Sequence, residues 1–330
     1  MSYCVCCRPA RHRLTLPPRV GQLAQAGCAH WSQAGFIPWS STRHILGALI
    51  LGRLGWGAGV PVIRRSGEAP LAPMFRLLYY LYARRLIREV SRRPTPRHVG
   101  IILDGNRRHG RSLGITEPRE LYDLGANKLD DVLEWCAELG IPTVTLWVFS
   151  TDNFRRPAAE VSGILASIEA KLSALACDPA IHRRRVRVRA IGCLAMLPEP
   201  VLAAIAATER ATAEYDGLEL NIAVAYGGRQ EIADAVRALL NCKVAEQATL
   251  AEAIEGITPE AIASHLYTAG LPDPDLIIRT SGEIRLSGFL LWQSAHSEFY
   301  FTDVLWPAFR KIDFLRAIRS FQQRRRRYGC

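Results

Sequence analysis

His98-Val99-Gly100-Ile101-Ile102-Leu103-Asp104-Gly105-Asn106 decides the fold of this chain. Its apolar run does not alternate with polar residues, so both faces want burial, as in a parallel sheet covered by helices on two sides. It stops at Asp-Gly-Asn, a composition suited to a tight turn. Outward from it, strand and helix patterns take turns. Residues 118–140 read as a helix closed by Gly140, 143–150 as a strand, and 157–176 as a helix opened by Pro157. A strand at 186–191, a helix at 198–214, a strand at 220–226 and a helix at 228–240 follow. Short strands at 276–280 and 289–293 and a basic helix at 311–327 complete the series. This alternation predicts an α/β fold: one domain over 94–330 with a central, mainly parallel six-stranded sheet flanked by helices. In such sheets ligands bind beyond the carboxyl ends of the strands.

The chain has 330 residues, 49% hydrophobic and 22% charged, enough for a sizeable core and far from a fibrous or wholly disordered composition. Its net charge of +11 is unevenly spread. Residues 1–97 carry 15 arginines against two acids, whereas 98–330 carry 27 basic and 29 acidic residues. The basicity belongs to an arm, so a nucleic-acid-binding face on the folded body is not expected. Residues 1–73 show no sustained periodicity and read as a disordered or spurious extension, with Met74 as a candidate start. Cys4, Cys6, Cys7, Cys28 and His30 lack the spacing of a zinc site, and Cys136, Cys177, Cys193 and Cys242 read as reduced thiols. The apolar run 45–63 is broken by Arg53, which is costly within a membrane span. Residues 74–93 suggest an amphipathic helix whose arginines, Arg76, Arg84, Arg85 and Arg88, face either solvent or anionic lipid.

Three clusters follow strands and carry the chemistry. Asp104-Gly105-Asn106-Arg107-Arg108 combines a glycine that admits an anion, two arginines to neutralise it and an acid able to hold Mg²⁺. The stretch from Ser150 to Pro157 contains Asp152, Asn153, Arg155 and Arg156; its simpler reading is a helix cap by Asn153 or Asp152. The third runs from Arg279 through Arg285 to Ser287, two arginines and a hydroxyl suited to phosphate oxygens, or else a surface ion-pair loop. Three such loops on one rim favour a diphosphate site. A Walker A loop, a Gly-x-Gly-x-x-Gly after a strand, a Gly-x-Ser-x-Gly elbow and an Asp-Asp-x-x-Asp motif are all absent, and Asp130-Asp131 does not continue into the last.

The chain resembles the cis-prenyltransferases of the undecaprenyl diphosphate synthase family. The resemblance rests on 98–106, on 149–153 with Arg156-Pro157, on 221–229, on 272–283 and on Leu291-Trp292-Gln293 through Glu298, in family order over about 95–330. The details Arg107-Arg108 and 286–289 are most like short-chain Z-isoprenyl diphosphate synthases of the (2Z,6E)-farnesyl diphosphate type. The resemblance implies an apolar tunnel and Mg²⁺-dependent condensation of isopentenyl diphosphate with an allylic diphosphate. Asp104 would hold the metal, with Glu298 assisting at a second diphosphate. Gly105, Asn106, Arg107, Arg108 and Arg156 would cradle the allylic diphosphate. Arg279, Arg285 and Ser287 would grip isopentenyl diphosphate, and Ser150 and Asn153 would orient the nucleophile. Arg327 and Gly329 match a carboxyl-terminal Arg-x-Gly that reaches across a homodimer.

His109, Tyr122 and His296 stand where the family usually has Trp, His and Tyr. Val148, flanked by Trp147 and Phe149, would narrow the tunnel where long-chain members have a smaller residue, so a short product made from geranyl diphosphate is expected. Long-chain decaprenyl or undecaprenyl synthesis and a catalytically silent subunit are the alternatives. A cytoplasmic enzyme at the inner face of the plasma membrane is the implied setting.

Overall fold

The computed structural model describes residues 73–324. The extension before residue 73, with its cysteines, and the carboxyl-terminal Arg327 and Gly329 lie outside the described residues. Ten α-helices and six strands fall within them. They run α1 (Pro73–Val90), β1 (His98–Ile102), α2 (Asn106–Ser112), α3 (Pro118–Leu139), β2 (Thr143–Trp147), α4 (Ala158–Cys177), α5 (Pro179–Arg183) and β3 (Val186–Ile191). Then come α6 (Glu199–Thr212), β4 (Leu218–Ala223), α7 (Gly228–Ala245), α8 (Leu250–Glu255), α9 (Pro259–Ala263), β5 (Leu276–Arg279), β6 (Glu298–Phe301) and α10 (Lys311–Gln323).

All six strands pair in parallel, in the order β3-β4-β2-β1-β5-β6. β1 is buried along its whole length, as the apolar run that follows His98 requires. Its last residue, Ile102, pairs with Trp147 of β2 on one side and Arg279 of β5 on the other. Adjacent residues of a strand point to opposite faces, and the core divides accordingly. Ile101, Ile278 and Ile222 join a large core with Leu133 of α3, Leu172 of α4, Ile205 of α6 and Ile318 of α10. Ile102, Ile277 and Ala223 join a smaller one with Phe289 and Leu290.

Residues 289–293 are not a strand, contrary to the sequence reading; the sixth strand is Glu298–Phe301. Gly288 at φ +97° and Leu290 at φ +43° break the extended backbone. Phe289 is nonetheless fully buried, its ring stacked on Trp147 with centroids 5.4 Å apart. Gly100 leaves room for it, since a Cβ there would lie 3.0 Å from the Phe289 ring. The segment is apolar because it caps the sheet.

The expected amino-terminal helix is present. Leu86 and Val90 are buried, and Gln322 of α10 donates its Nε2–H to the Val90 carbonyl at 2.9 Å. The opposite end of α1 is bare: Leu77, Leu78, Tyr80 and Leu81 are each more than half exposed. Among the described residues no helix is long and apolar enough to cross a membrane.

Candidate active site

Going outward from β1, the chain fills β2, β4 and β3 on one side, and only later β5 and β6 on the other. The reversal opens a crevice at the carboxyl ends of β1 and β5. Asp104 and Arg279 meet there. Arg279 Nη2 donates to Asp104 Oδ2 at 2.9 Å, and the guanidinium is almost wholly enclosed, with 5% of its side chain exposed.

The backbone at Asp104 is fixed from two directions. Thr280 Oγ1 accepts from the Asp104 N–H at 2.9 Å and donates to the Asp104 carbonyl at 2.7 Å; the Trp306 N–H donates to that carbonyl at 3.0 Å. Burial works against the charge of Asp104. Hydrogen bonds from Arg279 and Ser281, the Arg279 charge and the Gly105 N–H outweigh it and hold the carboxyl below its ordinary value. It is therefore ionised at neutral pH.

Gly105 turns the chain at φ +105°, where a side chain would strike Leu305, and so starts α2 with its first backbone N–H groups at the same rim. Arg108 donates to the Ser281 carbonyl at 2.7 Å, tying α2 to the loop after β5. Arg279 also donates to Ser287 Oγ at 2.7 Å and to the Arg285 carbonyl. Ser287 adopts φ +53° to present that hydroxyl, a backbone cost of the kind that collects at functional sites. Arg279 Nε is buried with no partner in the protein.

The second loop is held by a reciprocal cap. The Ser150 N–H donates to Asn153 Oδ1 at 2.9 Å, and the Asn153 N–H donates to Ser150 Oγ at 3.2 Å. The cap expected at Asn153 or Asp152 is thus made by Ser150, on a 3-10 turn ahead of α4. Asn153 Oδ1 being taken, its Nδ2 group is the one left for the cavity. Beyond this turn, Arg156 Nη1 donates to Glu160 Oε1 and to Tyr122 Oη, both at 2.9 Å, while Tyr122 Oη–H donates to Glu160 Oε1 at 2.8 Å. Arg107 lies 3.8 Å from the same carboxylate. Burial, then the bond to Glu160, push the Tyr122 phenol up to about 12. Burial opposes the Glu160 charge, but Tyr122 and the two arginines keep its carboxyl below the ordinary value.

One cavity of about 330 Å³ gathers most of the expected residues. Asp104, Gly105, Asn106, Arg107 and Arg108 line it from β1 and α2; Val148, Ser150, Asn153 and Arg156 line it after β2; Arg279 and Ser287 close it after β5. A narrower apolar pocket adjoins it between α3, α4 and the sheet, sharing Leu103, Asn106, Tyr122, Val148 and Ile164.

Two expected residues stand elsewhere. The Arg285 guanidinium is 61% exposed, pairs with Glu283 at 2.5 Å and does not line the cavity. Glu298 begins β6 opposite Leu276, which itself lies opposite Val99, and accepts from Arg324 at 2.5 Å. It is two strands from β1 and three residues short of the carboxyl rim, away from Asp104.

Residues 102–329 match the family model described as putative undecaprenyl diphosphate synthase. An isoprenyl transferase of Thermus thermophilus is 58% identical over 259 residues, covering 78% of this chain and 98% of the relative. The chain is a cis-prenyltransferase. A (2Z,6E)-farnesyl diphosphate synthase of Thermobifida fusca is 53% identical over 253 residues, covering 77% of the cis-prenyltransferase described here and 97% of that relative. Among solved structures, lavandulyl diphosphate synthase from Lavandula x intermedia in complex with dimethylallyl diphosphate has a TM-score of 0.65 at 35% identity. It covers 72% of this chain and 99% of its own.

Sequence reasoning passed over Glu160 and Thr280 in this cis-prenyltransferase. Glu160 stands four residues after Arg156, the spacing of a helical ion pair, and that signal could have found it. Thr280 carried no signal, because its role depends on β5 lying beside β1.

Proposed function

We propose that the enzyme condenses isopentenyl diphosphate with a short allylic diphosphate, geranyl diphosphate foremost, to give a short Z-prenyl diphosphate such as (2Z,6E)-farnesyl diphosphate. The carrying observation is the 2.9 Å Asp104–Arg279 contact, which joins two anion-binding loops in one cavity that continues into an apolar pocket. Such a cavity suits two diphosphate heads and one hydrocarbon tail.

The C1–O bond of the allylic substrate breaks, and diphosphate leaves with the electron pair. The terminal alkene carbon of isopentenyl diphosphate bonds to C1; C2 of the isopentenyl unit then loses its proton to the released diphosphate, and the C–H electron pair forms the cis double bond. Arg107, Arg108 and Arg156, with the backbone at Gly105 and Asn106, hold the departing diphosphate and offset its growing charge. Arg279 and Ser287 hold the isopentenyl head, with Arg285 at the outer rim. Ser150 and Asn153, locked to each other's backbone, orient the alkene.

Asp104 is a fitting ligand for Mg²⁺. The ion is commonly held by one or two carboxylates together with substrate phosphates, and Asp104 is ionised beside the arginines that bind those phosphates. Mg²⁺ there would neutralise charge on the diphosphate. Glu298 does not join this donor set within the chain. Functioning as a homodimer, in the cytoplasm and close to the membrane that takes the product, belongs to the same reading, supported by the exposed apolar end of α1 beside its arginines.

The deciding experiment incubates the purified protein with radiolabelled isopentenyl diphosphate, geranyl diphosphate and Mg²⁺. The expected result is a Z-configured product, lost with EDTA. Absence of product over a range of primers would point to a silent subunit.

A further inference from the structure

Lys171 is a charged residue in a hydrocarbon wall. It sits on α4 in line with Ile164, Ser167, Ile168 and Leu172, and with them lines the apolar pocket that adjoins the diphosphate cavity. Only 15% of its side chain is exposed. Nζ donates to both carboxylate oxygens of Asp130 on α3, each at 2.7 Å. A partly buried ammonium is tolerated where a carboxylate takes it, and this pair bridges the two helices that wall the pocket.

The pair also sits at a definite depth. Tyr122 of α3 and Ile164 of α4 belong to both cavities and mark the mouth. Leu129 and Lys171 lie seven residues further along their helices, two turns or about 10 Å. Both helices follow strands whose carboxyl ends form the rim, so both run away from it. Asp130 and Lys171 therefore meet at the far end.

We infer that the Asp130–Lys171 ion pair is the floor of the pocket that receives the growing prenyl tail, and so sets product length. The inference rests on the condensation reading above. A tail arriving at this depth meets the Lys171 stem, whose ammonium is anchored beyond it by a half-exposed carboxylate. Asp130 is 53% exposed, so the pair closes the pocket where it would otherwise open to solvent, and the lysine stem fills the space in front of it. Val148, shared by both cavities, acts at the mouth, so the two positions restrain the tail independently.

The test compares products from geranyl and isopentenyl diphosphates, by mass spectrometry, for the parent enzyme, Lys171→Ala, Asp130→Ala and Lys171→Arg. Both alanine variants should lengthen the main product by one isoprene unit or more, Asp130→Ala by releasing the ammonium toward solvent. Lys171→Arg keeps the pair and should keep the length. Parent-length products from both alanine variants would overturn the inference and leave the condensation standing; a parent that forms no product would overturn the condensation reading and the inference with it. Should the alanine variants fold poorly, inert thiolo-diphosphates of increasing tail length read the same floor in the parent by binding alone. Affinity should climb with tail length and then fall at the floor; a steady climb through the geranylgeranyl analogue would refute it.

Discussion

Replacing Tyr122 by Phe removes one oxygen from the clamp that holds Arg156, and leaves the ring in place. The Tyr122 hydroxyl accepts from Arg156 at 2.9 Å and donates to Glu160 at 2.8 Å. Both partners are charged, and hydrogen bonds of that kind contribute about 1.5–3 kcal/mol each when buried. Arg156 keeps its direct bond to Glu160, and 27% of its side chain meets solvent. Both facts lower the loss to just below that range, about 1.4 kcal/mol, or tenfold in binding. On the proposed reading the clamp orients a group that holds the diphosphate before and during the reaction, so the loss should appear as about a tenfold rise in KM for geranyl diphosphate, with kcat held within about twofold. Steady-state kinetics at saturating isopentenyl diphosphate measure it, and KM for isopentenyl diphosphate serves as the control. With the phenol titrating only near 12, the effect should be flat across neutral pH. An unchanged KM, or an equal rise for both substrates, would refute the clamp.

Val148→Ala, which opens the shared wall of both cavities, should lengthen the product; an unchanged length on chromatography would clear Val148 of that role. His98 is buried, contacts the Pro272 carbonyl at 2.6 Å and Thr145 Oγ1 at 2.8 Å, and has its pKa lowered from 6.5 to about 4, first by burial. A base with a depressed folded pKa lends stability above its unfolded pKa and loses it as pH falls from 6.5 toward 4; urea unfolding at pH 7 and pH 4 should differ by up to about 3 kcal/mol from this group, at roughly 1.4 kcal/mol per unit, and His98→Asn should erase that share. Removing residues 327–330 should raise KM for isopentenyl diphosphate and leave that for geranyl diphosphate unchanged; normal affinity for both would dismiss the Arg-x-Gly end. Asp104→Asn should abolish turnover with Mg²⁺ yet bind inorganic diphosphate more tightly than the parent in EDTA, by calorimetry; weaker binding under both conditions would make Asp104 a structural partner of Arg279 and no more.

How much was legible depended on whether the cause was local. β1 could be read from its own residues because an unbroken apolar run has few other uses. α3 could be bounded at Gly140, which takes φ +65° at its end. Residues 289–293 misled because an apolar run records burial and not extension; the break comes from φ +97° at Gly288 and φ +43° at Leu290, and leucine carries no mark of such a conformation. The short helix α2 went unseen because Arg107, Arg108, His109 and Arg111 give it no apolar stripe. Within the site, every loop after a strand was found from composition. That Arg279 reaches the cavity while Arg285 turns to Glu283 was beyond reach, because two arginines six residues apart look alike until the loop between them is folded.

Strand order turns those separate loops into one site. Loops after neighbouring strands open side by side, and β2, β1 and β5 are neighbours only because the chain returns to the far side of β1 after building β4. The same order explains an otherwise awkward feature, an ionised acid in a cavity proposed to take diphosphates. Asp104 alone would repel both substrates. Beside Arg279, at 2.9 Å, its charge is offset while the cavity stands empty of anions. On the proposed reading, a diphosphate that drew Arg279 toward itself would release that carboxylate in the same movement. The freed carboxylate would then be the group to hold a divalent cation. On that reading, one contact between adjacent strands would couple the filling of the two diphosphate positions.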